Sequence, residues 1–252
     1  MGVDTDTARQ VGSRWQLQLL GEFQLRSGTT RIGLGGVQQR LLAFLVLQRR
    51  AVAREVVSGS LWPESGSDAG AALRNAVWRL RKAAPGVLVA SREHLRVADG
   101  LTVDLDRAHD VARRLVAEPS RPPPPAVVSL LGDDLLPDWQ DDWVVVERER
   151  FRRLRLHALE VAAQALTTVA RFAEAINAAT LAVDAEPLRE SAHRVLIRAH
   201  IAEGNWSEAL QQYERCRRVL DEELGIGPTP ALESLVARST AGAVAAGGGS
   251  RR

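Results

Sequence analysis

Apolar residues alternate with polar ones from Trp15 to Leu19 and again from Phe23 to Leu25, with Gly21 between the runs. A period of two puts successive side chains on opposite faces of an extended chain, so the pattern predicts paired strands. RIGL at 31–34 fits a third. The period then lengthens: Val37, Leu41, Phe44 and Leu45 share one face of a first helix, and Ala53, Val57 and Leu61 one face of a short second helix that Trp62 and Pro63 end. After the turn-forming run ESGSD, Ser67 or Asp68 can cap a third helix, which stops before Pro85 and Gly86. VLVAS and HLRVA read as strands around a short turn at Arg92 to His94, and Asp99-Gly100 turns the chain into LTVD. The predicted order is strands, three helices, then a hairpin.

From Asp106 onward every periodic segment is helical. The interruption is SRPPPP, where four consecutive prolines forbid helix and predict a stiff extended loop inserted in the second domain. RFAEAI at 171–176 and NWSEAL at 205–210 match in kind at their aromatic, Glu, Ala and aliphatic positions, 34 residues apart. That spacing is the tetratricopeptide period, in which a small residue such as Ala175 or Ala209 lets helices approach and an aromatic such as Phe172 or Trp206 packs at the turn. Residues 1–13 and 241–252 are aperiodic or small-residue low complexity and read as flexible tails.

With 252 residues, 45% hydrophobic and 25% charged, the chain has length and apolar content for two modest cores. No run approaches the ~20 apolar residues of a membrane span and no secretory signal is visible, so a cytoplasmic protein without membrane contact is expected. Its single cysteine, Cys216, allows no intramolecular disulfide and reads as core filler. The net charge of +2 hides an asymmetry. Residues 1–104 carry 14 Arg or Lys against 9 Asp or Glu, while the remainder carries 19 against 22, so only the first part is suited to a polyanion.

Lys82 is the only lysine, and it lies in RLRKAAPG. A Walker phosphate loop, a pyridoxal Schiff base or a phospho-receiver site would each need a lysine in another setting. GxSxG, HExxH and GxGxxG are absent too, so neither an enzyme nor a cofactor is expected. His193 and His200, seven apart, lack further ligands for a metal and read as packing or surface residues. Asp133, Asp134, Asp138, Asp141 and Asp142 lack calcium-loop spacing and read as caps and solvated loop residues, with Trp139 and Trp143 as helical-core anchors.

The third helix carries the functional signal. Leu73, Ala76, Val77, Leu80 and Ala84 fall within one arc, whereas Asn75, Trp78, Arg79 and Lys82 occupy the opposite arc, flanked by Arg74 and Arg81. Arginine can donate to two acceptors on guanine, asparagine can pair with adenine, and flanking cations can hold phosphates. A solvated amphipathic helix has the same charge pattern. The order of elements separates the two readings, because this helix is third in a helix-turn-helix layout and a hairpin of wing size follows it.

On WQLQLLGEFQL, the LWP after helix two and LRNAVWRLRKA in helix three, residues 14–104 resemble the OmpR/PhoB-type winged-helix DNA-binding domain found in the Streptomyces antibiotic regulatory protein (SARP) family. The resemblance implies a DNA-facing set of Arg74, Asn75, Trp78, Arg79, Arg81 and Lys82. It also implies a minor-groove contact from Arg92, although the family's Pro-Gly-Tyr-like wing tip is replaced here by Arg92, Glu93 and His94. DWVVVERERFRRLRLHALE, EPLRESAHRVLIRAH and ALQQYERCRRVLDEELGIGPTP make residues 105–240 similar to the bacterial transcriptional activation domain of the same family. The implied fold is a winged helix (α+β) followed by an all-α, tetratricopeptide-like domain. The implied function is a sequence-specific activator of a secondary-metabolite gene cluster, associated with the nucleoid. Its implied partners are double-stranded DNA with direct repeats and RNA polymerase with its sigma factor, and the resemblance allows a homodimer on DNA. A helical adaptor whose winged helix binds protein is the alternative, since fold does not dictate function.

Overall fold

The computed structural model describes residues 15–237. Its described residues divide into two compact units, one of 15–107 with 133–151 and the other of 108–132 with 152–237. The predicted tails, 1–13 and 241–252, lie outside the described residues. The sequence reading assigned 105–240 to one second domain, whereas 133–151 belongs to the first unit.

In chain order the N-terminal region runs β1 (Trp15–Gln18), β2 (Gln24–Ser27), β3 (Thr30–Ile32), α1 (Gly36–Gln48), β4 (Val52–Ala53), α2 (Arg54–Leu61), a 3-10 segment (Pro63–Asp68), α3 (Ala69–Ala83), β5 (Leu88–Ala90), β6 (His94–Val97) and β7 (Leu101–Val103). One sheet has the order β3-β2-β1-β7, with Leu17 opposite Leu25 in the antiparallel β1–β2 pair and opposite Val103 in the parallel β1–β7 pair. The second sheet has the order β4-β6-β5. Its two-residue β4 was not predicted. Ala53, expected on the second helix, pairs there with His94, and Val52 pairs with Leu95.

Helix α1 departs from the one-faced pattern. Every residue from Leu41 to Leu47 is buried, because α1 lies against α2, α3 and β6, and Val37 is exposed instead. An unbroken apolar run such as LLAFLVL marks a helix enclosed all round. Helix α3 needs no side-chain cap: the 3-10 segment leads into it, and the Ala69 N–H donates to Gly66 O. The expected capping by Ser67 or Asp68 is therefore absent.

Residues 133–151 complete the first unit. Leu135 bridges to Leu20, Leu136 N–H donates to Leu19 O at 2.9 Å, and Gly21 N–H donates to Asp134 O at 2.8 Å. Gly21 makes this approach at a φ of +77°, a conformation glycine reaches at little steric cost. Arg40 pairs with Asp141 at 2.5 Å, and Trp143 meets Phe44 edge-on at 5.3 Å between centroids. Arg148 donates to the carbonyls of Leu135, Leu136 and Trp139, which fixes the preceding loop. Trp139 and Trp143 thus anchor the strand-rich unit, not the helical one. At the other end of the β7 strand, Asp104 accepts from the N–H groups of Leu19, Leu20 and Leu105. Burial nevertheless raises its pKa above the ordinary aspartate value, outweighing those bonds.

The helices that follow are α4 (Asp104–Ala117), α5 (Pro125–Ser129), α6 (Asp142–Thr168), α7 (Phe172–Ala185), α8 (Glu190–Glu203) and α9 (Trp206–Leu224), with residues 230–237 also helical. Pro124 is extended as predicted, but Pro125 begins α5, where a missing N–H costs nothing. Helix α7 packs on α8 and α8 on α9. Phe172 and Trp206 are the first residues of α7 and α9 and are half-buried, whereas Ala175 and Ala209 are enclosed. Cys216 shares a core with Ile197, Ala209, Leu220 and Leu232, and burial pushes its thiol up to about 11. His193 is buried, with Nε2 against Pro187 O at 2.8 Å and Nδ1 against the Gln212 amide at 2.7 Å. It is a packing residue joining α8 to α9. No group of three or more metal-binding side chains occurs among the described residues.

Candidate nucleic-acid interface

The buried arc of α3 consists of Leu73, Ala76, Val77 and Leu80, together with Ala69 at its start, and Ala84 follows at its end. That seating fixes what faces outward: Arg74, Asn75, Trp78, Arg79, Arg81 and Lys82 are all exposed. The helix contains no acidic residue, and Arg81 and Lys82 occupy its last turn, where cations complement the helix dipole.

These six residues do not form a single row. Arg74, Trp78, Arg81 and Lys82 line a groove with Val77 and Arg54 of α2. Asn75 and Arg79 line a separate groove with Trp62 and the start of α1 at Gly35 to Gln38. Both grooves border the outer surface of α3. Arg92, at the tip between β5 and β6, joins Arg74 and Arg54 around a third concavity.

The tip is closed by its own side chain. Ser91 Oγ accepts from the N–H groups of Glu93 at 3.3 Å and His94 at 2.9 Å, and Ser91 N–H donates to His94 O at 2.9 Å. This leaves Arg92 exposed at the apex. The Pro-Gly-Tyr-like tip is thus replaced by a serine-closed turn.

Arg54 was missing from the sequence-derived set. Its Nε donates to Ser91 O at 3.1 Å and its backbone N–H to Glu93 O at 2.8 Å, so it ties the start of α2 to the hairpin tip. The available signal was a cation opening a helix, where the dipole disfavors positive charge and a separate reason for its presence is needed. Among the described residues, none of Arg54, Arg74, Arg79, Arg81, Lys82 and Arg92 has a carboxylate oxygen within 4.0 Å. Among the described residues their positive charge meets no ion pair, and their remaining donors suit a surface dense in oxygen acceptors.

Residues 126–238 match the family described as bacterial transcriptional activator domain. The chain is 34% identical over 229 residues to regulatory protein AfsR of Streptomyces coelicolor, covering 84% of this chain and 23% of that protein. It is 25% identical over 242 residues to transcriptional regulatory protein MoaR1 of Mycobacterium bovis, covering 87% of this chain and 77% of that protein. The solved structure titled Mycobacterium tuberculosis EmbR in complex with low affinity phosphopeptide matches with a TM-score of 0.71 at 26% identity, over 90% of this chain and 65% of that one. The chain spans about a quarter of the length of the AfsR proteins, at 23% for the S. coelicolor protein and 24% for that of Streptomyces griseus. The chain is thus similar to regulatory proteins of the AfsR type, and its strand-rich N-terminal region is followed by a region that matches the bacterial transcriptional activator domain.

Proposed function

We propose that the chain is a sequence-specific DNA-binding transcription regulator, acting as an activator. The observation that carries this reading is the outer face of α3, exposed, cationic and unopposed by carboxylates. In this reading residues 14–104, completed by 133–151, form a winged helix. Helix α3 enters the major groove, Arg79 and Asn75 read base edges, Arg74, Arg81 and Lys82 hold phosphates, and Arg92 enters the minor groove. The helical unit serves as a tetratricopeptide-like platform for RNA polymerase and its sigma factor at promoters carrying direct repeats. Two copies of the chain occupy such a site.

The test is a gel shift of the full chain on selected and random duplex across a salt series. Arg79→Ala should lose about fivefold or more on the selected site and little on random DNA, as a base contact worth ~1 to 3 kcal/mol requires. Lys82→Ala should weaken both alike and flatten the salt slope. Equal losses for Arg79→Ala on both duplexes would remove it from base reading. Failure of the intact chain to bind any duplex would favor the adaptor reading.

A further inference from the structure

Trp78 is 61% exposed, more than any other large apolar side chain among the described residues. The other described tryptophans are buried or half-buried. An indole held in water at the center of a cationic helix face is costly unless a ligand covers it. Its position is defined: Lys82 Nζ lies over the ring at 5.4 Å from the centroid, and the groove beneath is shared with Arg54, Arg74 and Arg81. Its indole N–H has no acceptor among the described residues.

We propose that Trp78 is a specificity residue whose ring packs against the C5-methyl group of a thymine in the major groove. This inference rests on the DNA-binding reading above. The charge around the ring selects the class of occupant, because four cations flank it and a partner must bring both anions and an apolar group to the same place. Among duplex features, only the thymine methyl places an apolar group in the major groove between rows of phosphates. Removing that methyl, with every hydrogen-bonding group retained, isolates the contact.

The experiment selects a duplex with the full chain, then replaces each thymine of the site singly by deoxyuridine. Wild-type protein, Trp78→Ala and Trp78→Phe are compared on each duplex, with thermal melts as a folding control. At one thymine, deoxyuridine should weaken wild-type binding about fourfold, the factor for returning one methyl group to water. Trp78→Ala should bind the thymine and deoxyuridine duplexes equally, Trp78→Phe should restore part of the difference, and melts should be unchanged because the side chain is exposed. If every deoxyuridine penalty persists undiminished in Trp78→Ala, or none exists in the wild type, the contact is refuted while DNA binding itself stands. If the wild type selects no sequence, the DNA-binding reading falls and this inference with it.

Discussion

Trp139 stacks on Phe23 with ring centroids 6.0 Å apart and planes inclined by 16°, although the two residues are separated by the whole of α1 to α5. The contact closes the strand-rich unit with a segment lying beyond its last strand. A fragment ending at Asp104 lacks Trp139, Trp143, Asp141 and the Leu20–Leu135 bridge.

That fragment is expected to melt at low temperature and without a sharp transition. A chain in which a short Gly/Ser linker replaces 108–132 and which ends at Phe151 is expected to melt cooperatively. Calorimetry of both decides the matter, and equal melting would show that 133–151 adds nothing to the unit.

Arg54→Ala removes the bond from Nε to Ser91 O. A single exposed hydrogen bond contributes about 0.5 to 1.5 kcal/mol, so the fold should survive. Binding to selected and random duplex should fall together, since the residue places the hairpin tip and has no base edge assigned to it. A loss confined to the selected duplex would instead make Arg54 a base reader.

His193 resists protonation because burial, aided by Arg215, lowers its pKa, although the bond to Pro187 and nearby Glu190 act the other way. The unfolded chain titrates near the ordinary value of 6.5. Between the lowered folded value and that ordinary value, the unfolded state binds more protons, so stability is full above the window and is lost as pH falls through it. Melts of the helical unit should therefore drop below about pH 6.5. His193→Gln should flatten this dependence while lowering stability at neutral pH, and an unchanged slope would assign the acid sensitivity to another group.

Ala209 is 2% exposed in the core with Ile197, Cys216, Leu220 and Leu232. Ala209→Leu should destabilize the helical unit by about 1 to 3 kcal/mol through overpacking. Trp206→Ala, at a half-buried position, should cost less than the ~3 to 5 kcal/mol of a fully enclosed aromatic. Denaturant melts that reversed this assignment would show that the repeat is held by its aromatics.

The outward set on α3 was legible because a 3.6-residue period separates its buried arc from its charged one within a single helix. Ala175 and Ala209 were legible for another reason, the 34-residue offset of two matching segments, and both are enclosed. Arg54 was not, because its role depends on a hairpin tip 37 residues away. Strand β4 was hidden by its length of two residues, too short for any period to register. Trp139 and Trp143 were legible as packing anchors, but their four-residue spacing suggested one helical face, whereas only Trp143 lies on α6 and Trp139 sits in the loop before it.

The discontinuity of the strand-rich unit has a consequence for synthesis. At translation speeds of ~5 to 20 residues per second, the 36 residues from Arg107 to Trp143 take roughly 2 to 7 s to polymerize. During that interval Phe23 and Phe44 await their tryptophan partners, so the nascent chain carries uncovered aromatic surface at the ribosome. Slow codons between positions 108 and 143 should prolong this exposure and reduce the soluble yield, whereas slow codons after 151 should not.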